Sequence, residues 1–247
     1  MPDLHWTIPV ARWSCWPATP VPAATAAAPD IGFIEPIVRR RLSTLSKIAL
    51  RVAHDCVADQ PEARVVFASR HGELRRTTDI LRAISAGEPV SPTAFGLSVL
   101  NAMTGILGIS RGDRSAASAL SAGAETLGYA LLEAHAQYAT DPTSPVLLIY
   151  ADEPADPSFG TIEDEVQGGA VAILLDNRAV IGELTCRTGA GTGDAPPSDT
   201  DAAAPADASH RFPTQSEAVL HCLSTQQLSS WQGSHSRWQW SWYDTAA

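Results

Sequence analysis

The stretch "VVFASRHGELRRT", residues 65 to 77, gathers residue types suited to anion binding and proton transfer. An apolar run of Val65, Val66, Phe67 and Ala68 ends on Arg70-His71-Gly72-Glu73, so a strand would present a guanidinium, an imidazole and a carboxylate at one turn. An imidazole can serve as nucleophile or base, and a guanidinium beside it can hold an anion. Cys15, Cys56, Cys186 and Cys222 stand too far apart for a zinc site or a disulfide framework, and reduced thiols in a cytoplasmic protein are expected. No metal and no cofactor are expected.

The elements that would carry these groups follow from hydrophobic periodicity. A short strand is expected around Trp6 to Trp13, then an extended Pro/Ala-rich loop from Pro17 to Pro29. Leu42, Leu45, Ala49, Val52 and Cys56 recur at steps of three and four and define a helix with one buried stripe. "EARVVFAS" reads as a buried strand, and "LRRTTDILRAISAG" as a helix stopped at Gly87. "SPTAFGLSVLNAMTGILGI" predicts a helix with Ser91 as N-cap and Pro92 at its first position, though Gly96, Gly105 and Gly108 weaken it. "RSAASAL" is a short strand, and Ser121 to Tyr138 a helix with Ala124, Leu127, Leu131, Ala134 and Tyr138 on one face. "PVLLIYADE" and "GGAVAILLDN" are apolar strands. The order βαβαβαββ, with fully apolar strands, indicates an α/β sheet covered on both faces.

Residues 1–188 are thus expected as one domain, 189–211 as a flexible Pro/Ala/Asp linker, and 212–247 as a Trp-rich docking tail. The tail is expected to hold a short helix (Ala218, Val219, Leu220, Leu223), and its aromatics would be exposed unless they dock on this or another chain. The 247 residues are 45% hydrophobic, enough for one sizeable core, and the net charge of -10 argues against nucleic acid or an anionic membrane as partner. No run approaches the ~20 apolar residues of a membrane span, nor is there a signal peptide pattern. A soluble cytoplasmic protein is expected.

Arg70-His71-Gly72 resembles the Arg-His-Gly signature of the histidine phosphatases, in which a strand delivers a nucleophilic histidine into a phosphate pocket. That chemistry needs more cations around the phosphoryl group and a second histidine or carboxylate as proton donor. His54 and His135 fall within expected helices, and His210, His221 and His235 lie in or beyond the linker. The family also carries its signature on the first strand, whereas here a strand and a long helix precede it. Gly72 is therefore expected to make a turn after a buried strand.

Read together, "SPTAFGLSVLNAMTGILGI", "RSAASALSAGAETLGYALLEA", "PVLLIYADE" and "GGAVAILLD" resemble the amino-terminal half of β-ketoacyl synthases, most closely the short chain length factors of bacterial aryl polyene and xanthomonadin-type pigment clusters. The resemblance covers most of the chain to about Leu184. It implies a thiolase-like α/β fold, here one truncated βαβαβαββ half in an α/β/α arrangement. Aligning Gly123 and Gly128 with the helix after the ketosynthase cysteine puts Leu120 at the nucleophile position, and leucine cannot be acylated. The histidine pair of the carboxy-terminal half has no counterpart, so no catalytic residue is expected.

The resemblance further implies a non-catalytic subunit paired with an active ketosynthase, as heterodimer or heterotetramer, that meets an acyl carrier protein through the complex. Phe95, Leu97, Ser98, Val99, Asn101 and Leu120 become interface or acyl-tunnel candidates, with a core role equally open for Leu97 and Val99 on periodicity. The strand matching "RSAASA" would pair across the two-fold axis, and the strand and turn "VVFASRHGE" would lie near the subunit interface, which makes His71 a structural or interface residue. The rival expectation is a free-standing hydrolase or acyltransferase using Ser118, Ser121 or His71.

Overall fold

The computed structural model describes residues 3–18, 26–57, 60, 62–190, 210–234 and 236–244. The amino-terminal segment forms two strands rather than one: β1 (Leu4–Val10) and β2 (Arg12–Trp16), which part at Ala11 and enter different sheets. There follow α1 (Pro36–Arg39), α2 (Thr44–Val57), β3 (Arg64–Ala68) and α3 (Leu74–Ser85). Then come α4 (Pro92–Gly96), α5 (Ala102–Arg111), β4 (Ala117–Leu120), α6 (Thr126–Thr140), β5 (Val146–Asp152), β6 (Gly169–Leu175) and β7 (Gly182–Ala190). The chain closes with β8 (His210–Phe212), α7 (Gln215–Thr225), β9 (Ser229–Gln232) and β10 (Ser236–Tyr243).

One sheet has the order β2-β6-β5-β3-β4, with β3 parallel to both β4 and β5. All seven residues of β5 are buried, because α2 and α5 cover one face of this sheet and α6 covers the other. That is why its strands read as unbroken apolar runs. The expected stripe is buried in full from Leu42 to Cys56, although Leu42 precedes α2, which starts only at Thr44.

The α/β layering is as expected, but a second sheet lies on the far side of α6, in the order β1-β7-β10-β9-β8. It uses residues from both ends of the chain. Gly189 and Ala190, expected to open the linker, instead extend β7 and pair with Arg237 and Ser236 of β10. His210 and Arg211, expected to close it, begin β8. Residues 191–209, the rest of that expected linker, lie outside the described residues.

The Trp-rich segment docks on its own chain. Trp231, Trp238 and Trp240 are almost wholly buried between the sheets, with Trp6 edge-on to Trp238 at 6.0 Å and Tyr129 edge-on at 5.4 Å. The alternation of tryptophan with polar residues along β10 sends indoles inward while Arg237 stays exposed. The expected helix in this segment is α7, which buries Ala218, Val219, Cys222 and Leu223.

Close approach of α6 to β10 requires Gly128. A Cβ there would lie 2.6 Å from the Trp238 ring, which is fully buried and cannot swing aside. Gly128→Ala gains about 0.5–1 kcal/mol of helix propensity, whereas overpacking costs roughly 1–3 kcal/mol, so a net loss of stability is expected. Thermal unfolding checks it, and adding Trp238→Phe should recover part of the loss. An alanine variant as stable as the parent would count against the packing argument.

The long helix expected from Ser91 is interrupted. Ser91 does cap it, its Oγ accepting from the Ala94 N–H at 3.4 Å, but α4 ends at Gly96 and α5 starts only at Ala102. Between them the Ser98 hydroxyl donates to the Phe95 carbonyl at 2.8 Å, a local bond that competes with continued helix. Similarly, Gly123 (φ +59°) starts a 3₁₀ turn, Gly123–Glu125, and α6 proper begins at Thr126 rather than Ser121.

Candidate functional site

Leu120 is the last residue of β4, where the chain leaves the sheet to enter α6. Opposite Ala68 in the β3 ladder and half-buried, it packs against the core between the sheets. The Thr126 hydroxyl accepts from the Ala122 N–H at 2.9 Å and donates to the Gly123 carbonyl at 2.7 Å, fixing the turn that follows. The side chain at this strand-to-helix junction has no nucleophilic atom.

No thiol can substitute. Cys56, Cys186 and Cys222 are buried; burial raises the Cys56 and Cys222 thiols to about 12 and holds Cys186 well above its usual value. Half-buried Cys15 is raised by the same cause. All four therefore remain protonated near neutrality and poorly nucleophilic.

The rival nucleophiles are engaged elsewhere. The Ser118 Oγ accepts from the Gln137 amide at 3.2 Å, and the Ser121 hydroxyl donates to the Arg70 carbonyl at 3.0 Å. Neither partner is a base that could take up a proton at the moment of attack. Among the described residues no group of His, Cys, Asp and Glu could hold a metal ion.

Arg70-His71-Gly72 forms the turn after β3, as expected for Gly72, whose φ is +55°. Asp152, at the end of β5 and 1% exposed, accepts from the Ser69 hydroxyl at 2.7 Å and from the Arg70 and His71 N–H groups at 2.7 and 3.0 Å. Burial pushes its carboxyl above the usual range, although those donors and Tyr150 pull the other way. The Arg70 guanidinium donates to the carbonyls of Asp164 and Glu163. His71 Nε2 lies 2.7 Å from Glu165 Oε1. Burial acts to raise the Glu165 carboxyl, but the hydrogen bond to His71 and the Val166 N–H bring it below its usual value. Nearby, Glu73 accepts from Ser43 at 2.6 Å, Ser46 at 2.7 Å and Arg76 at 3.2 Å, fastening the start of α3 to α2. These residues form a structural knot rather than a phosphate pocket. Asp152 and Glu165 went unnoticed in the sequence, where their only signal was acidic residues beside apolar strands.

The interface candidates from Phe95 to Asn101 lie in α4 and in the link to α5, apart from Leu120 in β4. Phe95 (64% exposed) and Val99 (48%) turn to solvent, so neither has a core role; Asn101 is also exposed, while Leu97 and Ser98 are half-buried. The adjacent α3 adds Leu81 and Ile84, both more than half exposed and not singled out by the sequence reading. β4 is an edge strand whose outer side meets no other strand among the described residues. Exposed apolar side chains near a free sheet edge are the features that proteins commonly cover with a partner. No helix among the described residues is long and apolar enough to cross a membrane.

Comparison with known proteins bears on this arrangement. Residues 13–241 match the family model described as "Beta-ketoacyl synthase, N-terminal domain". Among solved structures, the chain is similar to one from the complex of the ketosynthase ApeO with its chain length factor ApeC from Xenorhabdus doucetiae. The TM-score is 0.74 at 25% identity, covering 96% of this chain and 99% of that one. The ishigamide ketosynthase/chain length factor gives 0.67 at 14% identity, over 97% and 99%. A β-ketoacyl synthase from Burkholderia phymatum STM815 gives 0.52 at 15%, over 66% of this chain and 50% of that one. At their lower identities the last two show likeness of fold alone, and the curated proteins give no match. With a thiolase-like ketosynthase fold and a match spanning most of its length, the chain belongs to the β-ketoacyl synthase N-terminal domain family.

Proposed function

We propose that the protein is a non-catalytic chain length factor. It pairs with an active β-ketoacyl synthase, as a heterodimer or heterotetramer, and shapes that partner's acyl tunnel during carrier-protein-bound aryl polyene synthesis in the cytoplasm. The observation that carries this reading is Leu120 at the β4–α6 junction; β4 is an edge strand among the described residues, and α3 and α4 carry exposed apolar side chains. A condensing enzyme needs an acylated nucleophile, and leucine offers none. The similarity to chains from ketosynthase/chain length factor complexes supports the pairing. The acyl carrier protein reaches the site through the complex, and this subunit needs no cofactor of its own. Product length follows from sterics: growth stops when another unit no longer fits the closed end of the tunnel.

Co-expression with ketosynthases from neighbouring genes, followed by size exclusion and mass measurement, tests the pairing. A chain that binds none of them and makes a stable acyl adduct by itself would sink the reading. Incubated alone with acyl- and malonyl-carrier protein, the chain should give no condensation product by mass spectrometry. Leu120→Cys should permit alkylation or slow self-acylation at most, because decarboxylation still lacks its histidine pair. Multiple turnovers by that variant would show decarboxylating groups outside those described above.

A further inference from the structure

The turn after β3 contacts two residues that flank the proposed tunnel candidates, Ser121 and Leu100. The Arg70 carbonyl accepts from Ser121, the residue after Leu120. Gly72 lies under Leu100, whose Cδ1 would be 3.1 Å from any Cβ added there, and Leu100 sits between Val99 and Asn101. Beneath the turn, buried Asp152 fixes the Arg70 and His71 amides to the end of β5. The Arg70 guanidinium and the His71 imidazole also grip residues 163–165, more than 90 positions along the chain.

Only one of these links is a lone side-chain pair. Asp152 is held by four donors, counting Tyr150, and Arg70 reaches two carbonyls, whereas His71 and Glu165 share a single contact at 2.7 Å with side chains only 12% and 27% exposed. An interaction screened from solvent keeps more of its strength than a surface pair. The 163–165 segment therefore braces the turn through the Arg70 guanidinium and the His71–Glu165 pair.

Resting on the chain length factor reading, we infer that His71 is a positioning residue for product length: through Glu165 it braces the turn that supports Leu100 and the Leu120–Ser121 junction. A braced wall gives one tunnel length, and a loosened wall admits several.

The test uses the complex with the cognate ketosynthase and reads product lengths by mass spectrometry, complex mass and melting temperature together. His71→Ala should leave the complex assembled while the share of products differing by one extension from the main one rises several-fold. His71→Gln, which keeps a donor near the Nε2 position, should restore most of the narrow distribution, and Glu165→Ala should reproduce the broadening. A merely structural histidine would lower yield and melting temperature without altering the distribution, and that result overturns the proposal. If His71→Ala fails to assemble, Glu165→Ala against His71→Gln decides in the same way: broadening in the first alone supports the proposal, and unchanged lengths in both refute it. Altered lengths in Phe95→Ala beside unaltered lengths in these variants would remove the positioning role alone. A wild-type chain that binds no ketosynthase would instead remove the reading on which it rests.

Discussion

Trp238→Ala should cost roughly 3–5 kcal/mol, the range for truncating a large buried aromatic, and so a large part of the ~5–15 kcal/mol that holds a typical domain together. The indole is fully buried, meets Trp6, Tyr129 and Trp240, and donates through Nε1 to Glu125 and Ser236 at 3.1 Å each. Its loss opens a cavity between the two sheets and leaves the Glu125 carboxylate without that donor. At roughly 2–4 °C per kcal/mol for a chain of this size, the melting temperature should fall by about 6–20 °C. Differential scanning calorimetry measures this directly. A variant that melts with the parent would mean that β10 contributes little to the core, and the carboxy-terminal segment could then be treated as an appendage after all.

Phe95→Ala should act on the product and leave the fold almost untouched. Because the ring is 64% exposed in the isolated chain, its removal forms no cavity in this chain's core, and the melting temperature should stay close to that of the parent. Within the reconstituted complex, the vacated phenyl volume should admit further carbons of a rigid polyene and lengthen the product. One side chain rarely holds a large interface together, so the complex mass should be unchanged. Longer products from a stable, assembled complex would place Phe95 at the closed end of the tunnel. An unchanged distribution from the same complex would take it off the gate and move attention to Ser98 and Asn101. Destabilisation without longer products would contradict the exposure argument itself.

Local pattern alone was enough to read much of this chain. The buried strand at Val65–Ala68, the apolar runs of β5 and β6, the stripe on α2, the Ser91 cap and the stop at Gly87 each depend on neighbouring side chains and on the conformational limits of single residues. Leucine at position 120 was likewise visible without coordinates, whereas the chain's cysteines and the serines flanking Leu120 were set aside only by burial and by their hydrogen-bond partners. The limits of local pattern appear at "RWQWSWY". Its period of two is that of a strand with one buried face, but a strand needs a ladder partner, and β7 comes before the intervening residues 191–209. Neither helix propensity nor turn chemistry specifies that pairing. The same holds for His71 and Glu165, 94 positions apart, and for Asp152 beneath the Arg70 amides. Sequence named the chemical groups; only the tertiary structure decided that the imidazole meets the Glu165 carboxylate instead of a phosphate, that three tryptophans close the core, and that Phe95 is exposed and β4 is an edge among the described residues. The physical reason is that burial and pairing depend on which distant segments share a sheet, and in this fold the two ends of the chain meet in one.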